Sequence, residues 1–251
     1  MTIYKMVFSA TGGTRRVADA LMLDLGQCST PVDLLKPYSQ MPTLAQDDVC
    51  WIAVPSYGGR IPSSLQERFE GLKGNGARAV LTAVFGNRAI EDTLMQMRDL
   101  LTQAGFRCVA GVAAVAQHSL APEVAAHRPD ESDVAQLAQM GQQIQRKLDG
   151  GHDEEPAWPG SHEYRQFNGV PIKPQVTDAC QGCGLCAREC PVGAIDPKHP
   201  SELNEKACIS CMHCVAICPS HARVVNPAMT AAITQKLMMA CASPKENVLY
   251  L

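Results

Sequence analysis

The chain has 251 residues, of which 46 % are hydrophobic and 19 % charged, and its formal net charge is −3. A chain of this length and composition buries a core without disulfides and is neither disordered nor collagen-like. The charge divides evenly, with fourteen Lys and Arg against fifteen Asp and Glu over residues 1–150 and eight against ten after them. No basic stripe points to nucleic acid or to an anionic membrane surface.

The N-terminus MTIYKMVFSATGG has one short apolar run, without a cleavable signal pattern or a stretch long enough to span a membrane. The expectation is a cytoplasmic protein whose thiols stay reduced and serve metal binding or catalysis. Thr2–Phe8 reads as the first strand, followed by a Gly/Thr loop and a helix with Val17, Leu21 and Leu25 on one face. Val32–Leu35, Val49–Val54, Ala77–Val84 and Arg107–Ala116 read as four more strands. The last three are nearly continuous apolar runs, as in a parallel sheet covered on both faces. Helices are expected over Pro62–Leu72, Ile90–Ala104 and Ser132–Leu148. Strands alternating with helices define a doubly wound α/β domain over residues 1–148.

Residues 149–174 are polar, rich in Pro and Gly and without periodicity, and read as a linker. Residues 175–226 form a compact cysteine-rich module, and residues 227–251 a C-terminal helix and tail. Met229, Ile233, Leu237 and Ala240 fall on one face of that helix, which is expected to pack back on a domain surface.

Eight of the twelve cysteines lie in the module, in two copies of C-x2-C-x2-C-x3-C-P. These are Cys180, Cys183, Cys186 and Cys190 before Pro191, and Cys208, Cys211, Cys214 and Cys218 before Pro219. This is the spacing of bacterial dicluster ferredoxins, in which the fourth cysteine of each run ligates the other cluster. Three thiolates two residues apart wrap a loop around three corners of a cube, and the fourth corner takes a ligand from elsewhere. The expected ligand sets are Cys180, Cys183, Cys186 and Cys218 for cluster 1, and Cys208, Cys211, Cys214 and Cys190 for cluster 2, both [4Fe–4S]. Structural zinc pairs two CxxC knuckles across a longer loop, and a third cysteine after each pair fits that geometry poorly. Leu185, Val192, Ile195, Ile209, Val215 and Ile217 are candidates for a dry shell around the clusters, and His213 for a hydrogen-bonding role. Cys28, Cys50, Cys108 and Cys241 read as packing residues.

Ser9, Ala10, Thr11, Gly12, Gly13 and Thr14 follow the first strand and open the first helix. Free backbone N–H groups there make a phosphate cradle. No Walker lysine follows the glycines, and G-x-G-x-x-G is not matched, so a dinucleotide site has no support. The loop resembles the flavodoxin phosphate motif, with Gly13 where flavodoxins usually carry Asn. Two further loops lie at the carboxyl edge of the sheet, where doubly wound folds bind ligands. Pro55, Ser56, Tyr57, Gly58 and Gly59 suit the isoalloxazine, facing Phe85, Gly86, Asn87 and Arg88. Arg60 and Arg88 are candidates to offset FMN charge.

With FSATGGT, PSYGGRIP, FGNRAIEDTL, QHSLAPEVAAHRPDESD and the two cluster motifs, the chain resembles flavodoxin–ferredoxin fusion proteins (EFR-family ferredoxins). The resemblance implies a flavodoxin-like five-stranded parallel sheet in the order 2-1-3-4-5, joined to a small α+β dicluster ferredoxin domain. FMN and two [4Fe–4S] clusters are the implied cofactors. The expected function is electron transfer among FMN, the clusters and partner redox proteins, a donor and an acceptor. The alternative is an FMN-dependent reductase of a small organic substrate, fed by the clusters, with His118 or Tyr57 as proton donor. An open cavity above the flavin favours the reductase, and a covered one favours the shuttle. Asp130 or Ser132 is expected to cap the last helix of the first domain.

Overall fold

The computed structural model describes residues 1–24, 29–36 and 41–251. Leu25 and Cys28, assigned above to a helix face and to packing, lie outside the described residues. In chain order the first domain runs β1 (Ile3–Val7), α1 (Gly13–Leu21), β2 (Ser29–Asp33), β3 (Val49–Pro55), a short 3₁₀ turn and α2 (Gln66–Glu70). It continues through β4 (Arg78–Phe85), α3 (Thr93–Gln103), β5 (Arg107–Val115) and α4 (Glu131–Asp149). Strands β2, β1, β3, β4 and β5 lie side by side in that order and run parallel. The flavodoxin-like strand order is therefore present.

Alternation along the central strands explains how the sheet is buried on both faces. Cys50, Ile52 and Val54 of β3 and Ala79, Leu81 and Ala83 of β4 join a cluster with Phe69, Leu94, Met97 and Leu101 from α2 and α3. Trp51 and Val80 point the other way, to Val17 and Leu21 of α1 and Leu137 and Ile144 of α4. Gly141 lets α4 press against α1, since a Cβ there would lie 1.9 Å from the Leu21 carbonyl oxygen. That contact fixes the axis of α1 and hence the aim of its N-terminus. Asp130 caps α4 in a capping box with Asp133, one of the two residues expected there.

One strand more than the sequence suggested completes the sheet. Val248–Tyr250 (β8, the last strand of the chain) pairs antiparallel with β5. Only three residues long, it carries no recognisable strand pattern, and buried Asn247 holds it in place. The Asn247 Oδ1 accepts from the Val115 N–H at 2.9 Å, and its Nδ2 donates to Asp133 and Gln136 at 2.8 Å each.

Residues 150–174 contain no helix or strand but are fastened along the first domain. Arg98 pairs with Glu155, the Tyr164 hydroxyl donates to Asp99 at 2.6 Å, and the buried Asp92 carboxylate accepts the N–H groups of Ser161 and Arg165. The segment is a strap rather than a loose tether.

The cysteine module holds β6 (Gln175–Val176), α5 (Leu185–Arg188), α6 (His213–Ala216) and β7 (Arg223–Val224), with β6 and β7 paired antiparallel. Helix α7 (Pro227–Ala240) follows, capped by the Asn226 side chain, and leads to β8. The sequence repeat is a conformational one. Gly182, Gly184 and Gly193 have positive φ in the first half, as do Ser210, Met212 and His221 at the equivalent places in the second. No helix among the described residues is long and apolar enough to cross a membrane.

Candidate functional site

The phosphate-type loop sits at the carboxyl end of β1 as the sequence requires. Gly12, the N-cap of α1, takes a left-handed conformation at φ 95° and has no side chain to cap the helix itself. The Ser9 hydroxyl accepts from the Arg15 N–H at 3.1 Å, closing the loop from within. Ala10, Thr11, Gly13 and Thr14 line one end of a cavity of about 420 Å³, inside the ~300–1,000 Å³ range of ligand pockets. Pro55, Ser56, Tyr57, Gly58, Phe85, Gly86, Arg88 and His118 line it too. Loops from the ends of four different strands thus meet around one space.

Four residues expected at the flavin do not line this cavity: Ser9, Gly12, Gly59 and Asn87. Ser9 and Gly12 shape the loop. Asn87 is turned to the C-terminal segment, donating to the Cys241 and Ser243 carbonyls and accepting from the Lys245 N–H. Arg60 is occupied by Gln96 and the Arg165 carbonyl and lies over the Tyr164 ring. Arg88 does face the cavity, but its guanidinium grips both Glu91 oxygens at 2.9 and 2.7 Å. Arg88 and Arg165 together hold the Glu91 carboxyl down to about 2, against the opposing effect of burial.

The cradle fits FMN. A Cβ on Gly13 would come within a tight 3.3 Å of Ala116, and one on Gly86 within 2.4 Å of the His118 ring, so the approach at Gly86 requires glycine. Uncapped N–H groups at the start of α1 suit a phosphate. Tyr57 and Phe85 supply aromatic surface, and Tyr57 meets Phe8 edge-on at 6.5 Å. Burial raises the Tyr57 hydroxyl far above its ordinary range, with Cys211 adding to the effect. His118 is pushed down to about 4 by burial and by the Arg88 charge. It is neutral at ordinary pH, and its Nδ1 accepts from the Leu120 N–H at 3.2 Å, which leaves the proton on Nε2.

The roof comes from segments outside the site that the sequence outlined. Arg165, Phe167 and Val170 of the strap, Ile209 and Ser210 of the cysteine module, and Ile233 and Leu237 of α7 all line the cavity. Phe167 lies so close to Gly58, itself at φ 61°, that a Cβ there would be 2.2 Å from the ring. Only Ile233 and Leu237 had a legible signal, the apolar face of α7. Ile209 was expected among the shell residues of a cluster, and it serves the cavity as well.

The module's cysteines differ in exposure, five of the eight being half-buried. Cys180 and Cys183 are exposed, whereas Cys211 is buried and belongs to the same apolar cluster as Ala10 and Phe85. Burial pushes the Cys211 thiol up to about 12, the His213 N–H opposes this, and Cys214, Cys190 and Cys208 add to it. Those four thiols are therefore electrostatic neighbours. Ala194 donates its N–H to the Cys190 sulfur and Ala222 to the Cys218 sulfur, each at 3.3 Å. His213 Nδ1 lies 2.8 Å from the Ala10 carbonyl oxygen and bonds the module directly to the phosphate-type loop. Cys50, Cys108 and Cys241 are buried, as expected of packing residues.

A parallel 2-1-3-4-5 sheet with a cavity at its carboxyl edge, capped by a doubled cysteine module, defines a two-module redox protein. Residues 179–223 match the 4Fe-4S dicluster domain family, so the chain joins a flavodoxin-like fold to a dicluster ferredoxin domain carrying two [4Fe–4S] clusters. Over 55 residues it is 40 % identical to one component of an ion-translocating oxidoreductase complex of Methanosarcina acetivorans. That stretch is 22 % of this chain and 21 % of that protein, so only about a fifth of the relative is spanned. Among solved structures, a flavodoxin of Streptococcus pneumoniae TIGR4 aligns over 58 % of this chain and 99 % of its own, at 19 % identity and a TM-score of 0.40.

Proposed function

We propose that the chain carries electrons along one internal line: an exposed cluster, a buried cluster, and an FMN in the cavity, serving a donor and an acceptor protein. The observation that carries this reading is that Ile209 and Ser210, which lie between Cys208 and Cys211, form part of the cavity wall. The wall of the flavin space is therefore continuous in sequence with two cluster ligands. In this reading Cys180, Cys183, Cys186 and Cys218 hold the outer cluster, and Cys208, Cys211, Cys214 and Cys190 the inner one.

When bound, FMN exchanges electrons in pairs or singly, whereas each cluster passes one at a time. The residues of the chain bind, orient and shield it. N–H groups at Gly13 and Thr14 would take the phosphate, and Tyr57, Phe85 and Phe167 would provide aromatic surface. His118 stands in the wall as a neutral ring with a proton on Nε2. Because residues of the strap, the cysteine loop and α7 line the cavity, shuttling to a protein partner is favoured over reduction of a small organic substrate. Anionic clusters and phosphate make the loaded protein more acidic than its formal charge of −3, which suits partners with a basic docking face.

The test is anaerobic purification with iron, sulfide and flavin quantitation, followed by a reductive titration. The expected result is about eight irons with FMN bound in equal amount to chain, and flavin reduction that follows cluster reduction. Zinc in place of iron, or a chain that takes up no flavin, sinks the reading.

A further inference from the structure

The internal repeat of the cluster module breaks at one buried position. Cys190-Pro-Val-Gly-Ala-Ile195 and Cys218-Pro-Ser-His-Ala-Arg223 are equivalent stretches, and Ala194 and Ala222 make the same N–H to sulfur contact. Ile195 is 2 % exposed and Arg223 is 4 % exposed. A guanidinium therefore fills, in one half, the slot that an aliphatic side chain fills in the other.

Nothing ordinary balances that charge. The Arg223 Nη2 donates to the Pro200 carbonyl and lies 3.7 Å from the Cys186 sulfur. Its Nη1 is buried without a hydrogen-bond partner among the described residues, and no carboxylate pairs with it there. An unpaired cation is costly to desolvate unless an anion faces it. The sulfurs supply the anion. Cys186 is in contact. Thiolates around a [4Fe–4S] core carry net negative charge, which grows by one on reduction, so an adjacent cation stabilises the reduced cluster. On the other side of the module, Lys173 donates to the Cys208 carbonyl and to Ser210 rather than approaching a sulfur.

We propose that Arg223 is the buried counter-ion of the cluster pair and raises the reduction potential of the cluster bearing Cys186 more than that of its twin. Arg223 is a positioning residue for charge, and the two potentials are set apart by one side chain. This inference rests on the cluster reading above.

The experiment is an EPR-monitored redox titration of the intact holoprotein and of Arg223→Gln and Arg223→Lys. Iron and sulfide content is measured first, and a wild-type chain without two clusters refutes the cluster reading rather than this inference. The cluster bearing Cys186 is identified as the one whose signal changes in Cys186→Ser. In Arg223→Gln the reduced-to-oxidised ratio of that cluster at fixed potential should fall about tenfold, equivalent to about 59 mV for a one-electron couple. The twin should move less, and Arg223→Lys should return most of the shift. Loss of the Cys186-bearing cluster from Arg223→Gln but not from Arg223→Lys would support the same role for charge. Equal shifts in both clusters, identical potentials in the Gln and Lys variants, or cluster loss in both variants would overturn it.

Discussion

His118 shows how a single ring is fixed in one protonation state. Burial and the facing Arg88 guanidinium lower it to about 4, below the ordinary 6.5, so the folded chain resists protonating it. Between those values the unfolded chain binds the extra proton, and the stability held above pH 6.5 is lost as pH falls toward 4. The loss is about 3 kcal/mol at most. The imidazole resonances of His118 should therefore stay flat from pH 8 to pH 5, and a midpoint above 5.5 in an NMR titration would count against the buried placement. Single residues also decide the shape of the cluster loops. Left-handed backbone recurs at three equivalent places in each cysteine run; the first run takes it with Gly182, Gly184 and Gly193 and the second with Ser210, Met212 and His221. Side chains in that region cost roughly 1–2 kcal/mol each. Ser210 recovers part of this by donating to the Ile172 carbonyl at 2.6 Å and accepting from Lys173.

Among the elements, the strap over residues 150–174 changes the meaning of its own sequence. Polar and aperiodic, it reads as a connector because no repeating apolar position marks a buried face. Its attachment is made instead by single contacts, Trp158 on Gly111, Phe167 on Gly58 and the Asp92 carboxylate at two N–H groups. Asp92→Ala should cost about 1–3 kcal/mol of local stability, the usual penalty for stripping buried hydrogen bonds. Flavin release should accelerate roughly tenfold, since ~1.4 kcal/mol is one decade, while iron content stays unchanged. Unaltered flavin release, followed by fluorescence, would mean that the strap does not close the cavity. The strands β3, β4 and β5 were legible in the sequence because both-face burial writes continuous apolar runs into them. The loops that line the cavity were legible from their place at the strand ends. Strand β8 and the Phe167 contact were not legible, because each depends on long-range partners and leaves no local pattern. Asn87 was misdirected for a related reason: a loop position says where a side chain starts and not which neighbour claims its amide.

For the whole molecule, the crossed ligation proposed above predicts how damage travels. Cys190→Ser should impair the cluster that shares ligands with Cys208, Cys211 and Cys214, the one beside the flavin space, and spare the exposed one. Flavin reduction through the clusters should then slow sharply in stopped-flow measurements while EPR still detects the outer cluster. Loss of only the outer cluster would refute the crossed ligation. The distant part of the chain would thus control the inner end of the line.

The His213 contact with the Ala10 carbonyl, at 2.8 Å, has a bearing on assembly. It spans the boundary between a loop shaped by iron chemistry and a loop shaped to take phosphate. If both cofactors bind as proposed, each stabilises the surface that the other needs, and the free energy of that help is the same in both directions. Maturation then favours the fully loaded and the empty chain over either half-loaded form. A shortage of one cofactor would be registered in the occupancy of the other.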